Sequence, residues 1–84
     1  MVHQTENKYF RSSDFYLCCF LFAKSIVVTG IDRTNAKRIV FSFENSPETE
    51  QLVEDYWQNK AAVNPAVFVA AIKELKQQLY SNNF

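Results

Sequence analysis

The chain has 84 residues, and its nine Lys/Arg are balanced by nine Asp/Glu. Zero formal net charge takes away the strongly basic footprint usual for nucleic-acid-binding domains. A chain of this length buries only about 60–65% of its unfolded surface, and eight Phe, four Tyr and one Trp supply the apolar area that one small core needs. One Gly and two Pro leave little room for linkers, so residues 9–80 read as a single domain between a flexible end at 1–8 and a short end at 81–84.

Tyr9-Phe10-Arg11 has the composition of a short N-terminal strand. Ser12-Ser13-Asp14 then offers N-cap oxygens for a helix over 14–24. Its apolar run, Phe15 to Ala23, is far shorter than the roughly 20 residues that cross a bilayer. It is apolar all round, so it must be covered by other elements or by a second copy of the chain, which makes a homodimer the expectation. Met1 to Phe10 lacks the apolar stretch of a signal peptide.

Next come two strands of a hairpin. Ile26 to Ile31 is rich in β-branched residues, and Ile39, Phe41 and Phe43 alternate with Val40, Ser42 and Glu44. Gly30, the only glycine, marks a bulge or a close backbone approach. Thr34-Asn35-Ala36 forms the turn. Ser46-Pro47 starts a helix, with Glu48 and Glu50 suited to its dipole. That helix carries a stripe of Leu52, Val53, Tyr56 and Trp57 and stops near Asn59. Asn64-Pro65 starts the last helix, whose apolar face is Phe68, Ile72, Leu75 and Leu79. The order (β)-α-β-β-α-α defines an α+β fold: a small antiparallel sheet packed by three helices.

Catalysis has little to stand on. His3 is the only imidazole, Cys18 and Cys19 are adjacent without C-x-x-C spacing, and one glycine cannot make a phosphate loop. The expectation is a non-enzymatic protein with no metal and no cofactor. The thiols read as small buried hydrophobes in a reducing cytoplasm, away from any membrane.

The positive signals concern binding. Residues 1–38 carry six Lys/Arg against three Asp/Glu, and residues 39–84 carry three against six. Arg33, Lys37 and Arg38 cluster at the hairpin turn, and Arg11, Lys8 and Lys24 extend the patch toward an acidic protein or nucleic-acid phosphates if the first strand lies beside the hairpin. Solvated edge charge is the plainer reading of the same residues. Trp57 sits at the margin of its helix's apolar stripe, either as an interface anchor or as a core-edge residue under the Ala61–Pro65 connection. Protein–protein interaction ranks above nucleic-acid contact because the net charge is zero.

From Tyr9 to Tyr80 the chain resembles the domain-of-unknown-function family 5659, short proteins of bacteria, archaea and their mobile elements. The residues that carry the resemblance are Tyr9-Phe10-Arg11-Ser12-Ser13-Asp14, Tyr16-Leu17, Ile31-Asp32-Arg33-Thr34, Arg38-Ile39-Val40-Phe41-Ser42-Phe43-Glu44, Val53-Glu54-Asp55-Tyr56-Trp57, Val63-Asn64-Pro65 and Lys73-Glu74-Leu75-Lys76. Cys18-Cys19-Phe20 departs from the smaller residues that the family typically places in its first helix. The resemblance implies a stand-alone accessory protein in a microbial or viral setting and carries no catalytic residues across.

Overall fold

The computed structural model describes residues 8–35 and 37–81. Six elements follow in order: β1 (Tyr9–Ser12), α1 (Phe15–Ala23), β2 (Val28–Asp32), β3 (Val40–Glu44), α2 (Pro47–Trp57) and α3 (Pro65–Ser81). This is the expected α+β architecture of three helices and an antiparallel sheet. The expectations for residues 1–7, for Ala36 in the turn and for 82–84 lie outside the described residues.

The N-terminal strand joins the hairpin beside β3, so the sheet order is β1-β3-β2 and β3 is central. Tyr9 pairs with Glu44, Arg11 with Ser42 and Asp32 with Val40. The alternation along β3 does what its sequence pattern asks. Phe41 and Phe43 are buried against the helices, while Ser42 and Glu44 lie on the opposite face.

Asp14 caps α1, its Oδ1 accepting from Leu17 N–H at 3.2 Å. Successive residues of a helix lie about 100° apart, so five in a row sweep more than a full turn. Leu17 to Leu21 are all 2% exposed or less, so the middle of α1 is enclosed on every side, while Tyr16 in its first turn stays exposed. The cover comes from its own chain: Phe41 and Phe43 of the sheet, Leu52, Val53 and Tyr56 of α2, and Leu75, Phe68 and Ile72 of α3. The apolar girth of α1 therefore requires no second copy, and any self-association has to use other surfaces.

Ile26 and Val27 were expected in β2 but precede it. Ser25 takes a left-handed conformation (φ 71°) just past the end of α1. Its N–H donates to Phe22 O at 3.0 Å and that of Ile26 to Leu21 O at 3.1 Å, the paired bonds of a Schellman turn. Buried Ile26 and Leu21 supply the apolar contact that goes with it. Helix α2 ends in the same way at Asn59 (φ 61°), with Asn59 N–H on Tyr56 O and Lys60 N–H on Asp55 O. A register shift between Val28 and Gly30 makes the expected bulge. No close backbone approach accompanies it, since a Cβ built on Gly30 meets nothing within 4 Å.

Polar caps fix the other corners. Ser46 Oγ accepts from Thr49 N–H at 3.1 Å, and the buried Thr49 hydroxyl donates to Glu44 O at 3.0 Å, tying α2 to the end of β3. Asn64 Oδ1 accepts from Ala66 and Val67 N–H groups to start α3.

Phe43→Ala removes a fully buried ring at the centre of the sheet and should cost about 3–5 kcal/mol in urea unfolding, most of the stability of a domain this small. Ser25→Gly should hold or raise stability, by up to about 1 kcal/mol, because a Cβ in the left-handed region is itself costly.

Candidate interaction surfaces

Arg33 follows β2 and turns inward. Its Nη2 donates to Gln78 O at 2.7 Å and Leu79 O at 3.1 Å, and its Nε donates to Leu79 O at 3.2 Å. The last carbonyls of a helix lack intrahelical partners and sit at the negative end of its dipole, so a guanidinium there is well matched. Arg33 thus clamps the end of α3 to the hairpin through its Nε and Nη2 donors.

Lys37 and Arg38 remain exposed at the turn. Asn35 organises this segment, with its Oδ1 accepting from Lys37 N–H and its carbonyl from Arg38 N–H. The two cations border a depression of ≈ 350 Å³ lined also by Ser13, Phe15, Ile39 and Leu79. Nearby, Asp32 accepts from Thr34 N–H at 2.8 Å; the Thr34 hydroxyl first, then this N–H and the positive charge of Arg11, hold its carboxyl below the usual range.

Arg11 lies on the face of the sheet turned away from the helices. Its Nε donates to Ser42 Oγ at 3.2 Å, and with Tyr9, Thr29, Gly30 and Ser42 it lines an open depression of ≈ 490 Å³. Lys24 is elsewhere again. It caps the end of α1, its ammonium 5.9 Å from the Phe20 ring centroid. That end lies toward the start of β2 beside Phe43, whereas the turn follows Asp32 beside Val40. The basic residues grouped by the sequence are therefore divided: Lys37 and Arg38 at the tip, Arg11 on the outer sheet face, Lys24 toward the far end and Arg33 inside a clamp.

Trp57 is 61% exposed. The indole packs edge-to-face on Tyr56, centroids 5.2 Å apart, and Tyr56 in turn packs on Phe20 at 6.0 Å. The Ala61–Pro65 connection does not cover it. Beside it a depression of ≈ 430 Å³ is lined by Tyr56, Trp57, Asn59 and Ala61, and the left-handed Asn59 shapes its rim. Burial, then the Asp14 charge, pushes the Tyr56 phenol up.

The cysteines belong to the core. Both are free and buried. Burial pushes Cys18 up to about 12, with Cys19 and Asp14 adding to the effect, and burial pushes Cys19 up to about 11. A reactive thiol needs the opposite shift. Asp14 caps a helix, while Asp32, opposite Val40, and Glu44, opposite Tyr9, lie at opposite ends of the outer sheet face, about 13 Å apart along β3 at ~3.3 Å per residue. No group of three or more metal-ligating side chains comes together among the described residues, and no helix among them is long and apolar enough to cross a membrane.

The outer sheet face is not legible in the sequence, which does not say which strand β1 joins. Val67 and Val69 are likewise unsignalled, exposed on α3 outside the core-facing stripe.

The family model for the domain of unknown function DUF5659 matches residues 7–81. The chain belongs to this family. No curated protein and no solved structure gives a match.

Arg33→Ala should lower stability by about 1.5–3 kcal/mol through loss of charge-assisted bonds, read as a fall in Tm of roughly 4–8 °C per kcal/mol. Arg33→Lys should recover part of it. The thiols make a second prediction. Unfolded, they ionise near 9.0; folded, at about 11 and about 12. Their contribution to stability is fully present below pH 9 and drains as pH rises toward 11 and 12. At pH 8, labelling by an aromatic disulfide should follow global unfolding rather than show a fast phase.

Proposed function

We propose that this DUF5659 domain is a small non-enzymatic accessory protein of the cytoplasm that binds another protein, with Trp57 as the anchor of the interface. The observation that carries this reading is the exposure of Trp57 on a rigid aromatic stack rooted in the core. An exposed indole held in place loses little conformational freedom on binding, and Trp is enriched among residues that dominate interface energies. The buried, unreactive thiols support a reducing compartment, and the separation of the carboxylates supports a role without chemistry at a catalytic centre.

Nucleic-acid contact through the hairpin is the second reading. Lys37 and Arg38, both exposed at one tip, favour it. It is the weaker of the two, because Arg33 is engaged by α3, Lys24 lies toward the other end, and the net charge is zero.

Comparative capture with the wild-type chain, Trp57→Ala and Lys37→Ala/Arg38→Ala as baits separates the readings, after circular dichroism has shown that all three fold. Under the leading reading a protein is retained by wild type and the double variant and lost with Trp57→Ala. Retention that ignores Trp57 would overturn it. For the second reading, labelled single- and double-stranded DNA at low salt should bind with an affinity that falls steeply as salt rises and vanishes in the double variant. Absence of low-salt binding removes it.

A further inference from the structure

Strand β1 has β3 on one side and, among the described residues, no strand on the other. One hydrogen bond fixes which way its backbone faces: Asn45 N–H donates to Lys8 O at 3.0 Å. Residues along an antiparallel strand alternate in direction, so Lys8, Phe10 and Ser12 bond toward β3. The N–H and C=O of Tyr9 and Arg11 then point outward along an exposed edge. The other edge of the sheet is less suited to pairing, since β2 is bulged between Val28 and Gly30 and Arg33 ties the segment after it to α3. The register of β1 with β3 runs without a break from Tyr9 to Ser12. Its protection against strand addition consists of its shortness and the charge of Arg11, with Lys8 alongside.

We propose that β1 is a self-recognition edge, through which two copies of this chain pair antiparallel about a two-fold axis at Phe10. Backbone direction and charge together select the register. Outward-facing residues must meet outward-facing residues. Arg11 opposite Arg11 of the partner subunit sets like charges directly across the ladder, which is unfavourable. Tyr9 opposite Tyr9 of the partner subunit leaves Arg11 beyond the shared stretch. Tyr9 opposite Arg11 of the partner subunit uses every outward group of both residues in two reciprocal pairs of hydrogen bonds. It also sets a guanidinium across from a phenol ring, the arrangement of a cation–π contact. Lys8 then faces Ser12 of the partner subunit, so no like charges oppose each other.

Phe10 falls at the centre, a non-hydrogen-bonded position where the two Cα atoms approach to about 4.5 Å. Its ring is half-buried and packs on the core, so meeting its symmetry mate covers the part left exposed. The same residues recur on both sides, the isologous form of most homodimers. The sheet becomes continuous across both copies, and their outer faces, each with its depression at Tyr9, Arg11 and Ser42, become neighbours. Strand pairing this short falls below the roughly 1,200 Å² of a standard interface, so association is concentration-dependent. The surface is separate from Trp57 and does not depend on what Trp57 binds.

The test is sedimentation equilibrium on the full chain from micromolar to millimolar concentration. The dimer fraction should rise across that range. Arg11→Pro removes an outward N–H and leaves the ladder to β3 intact, which an edge position tolerates; it should be monomeric with an unchanged far-UV spectrum. Because proline can disturb the strand itself, Tyr9→Lys provides a second variant that keeps the backbone. It sets Lys opposite Arg11 of the partner subunit and should raise the dissociation constant roughly tenfold, since symmetry loses the pair twice. Adding Arg11→Glu to Tyr9→Lys should restore the dimer, now sensitive to salt. A wild-type chain that stays monomeric at millimolar concentration overturns the proposal. So does a dimer indifferent to Arg11→Pro and Tyr9→Lys, or a double variant no tighter than Tyr9→Lys alone.

Discussion

The enclosure of α1 is the constraint on which the rest of this fold depends. A helix that is apolar in every direction has no face to give to water, so it cannot sit on the outside of a two-layer domain. An 84-residue chain has few elements with which to surround it. It does so by putting all three helices on one side of the sheet, with Phe41 and Phe43 beneath α1 and α2 and α3 flanking it. The apolar faces of β3, α2 and α3 then point at the same helix, with Trp57 of α2 left outside. The Schellman turn at Ser25 and the Arg33 clamp both serve this arrangement. The first brings the chain from the end of α1 back to the sheet, and the second holds the end of α3 beside the hairpin.

The same arrangement creates the open surface. With the helices gathered on one face, nothing in the described chain covers the other face, where Tyr9, Arg11, Thr29, Ser42 and Glu44 tolerate water and Val40 stays half-buried. The price is paid in edges. A sheet with this strand order has two of them, and β2 escapes simple pairing through its bulge while β1 does not. The enclosure of α1 and the availability of β1 are thus two consequences of one distribution of apolar residues.

Much of this was legible in the sequence. Alternation through Ile39 to Glu44 identified the buried face of β3, and Ser46-Pro47 and Asn64-Pro65 identified the helix starts, because caps and period-2 patterns are local. The bulge was signalled by the glycine. What could not be read was anything set by contacts distant in sequence. That Arg33 would spend its charge on Gln78 and Leu79 depends on where α3 ends in space. That β1 would pair with β3 rather than β2 depends on how the chain crosses from Ser12 to Val28. A cluster of cations in sequence is therefore a poor guide to a cluster in space once one of them finds a helix terminus. The start of β2 was misplaced for a different reason. Ser25 occupies a left-handed position usually given to glycine, and serine carries no warning of it.

Where this chain uses glycine, and where it does not, sharpens the point. Ser25 and Asn59 each adopt the positive φ that glycine accommodates at least cost, yet the single glycine is at neither position. Gly30 has no positive φ, and a Cβ there would meet open space. Neither the backbone conformation nor the packing of the fold demands it. Its position does have one consequence on the outer face. Gly30 pairs across the sheet with Ser42, the residue to which Arg11 reaches from the other side. Without a side chain at 30, the floor beside Ser42 stays low and the Arg11 guanidinium has clear space ahead of it. The one residue whose freedom the fold leaves unused thus lies on the face that the helices leave open.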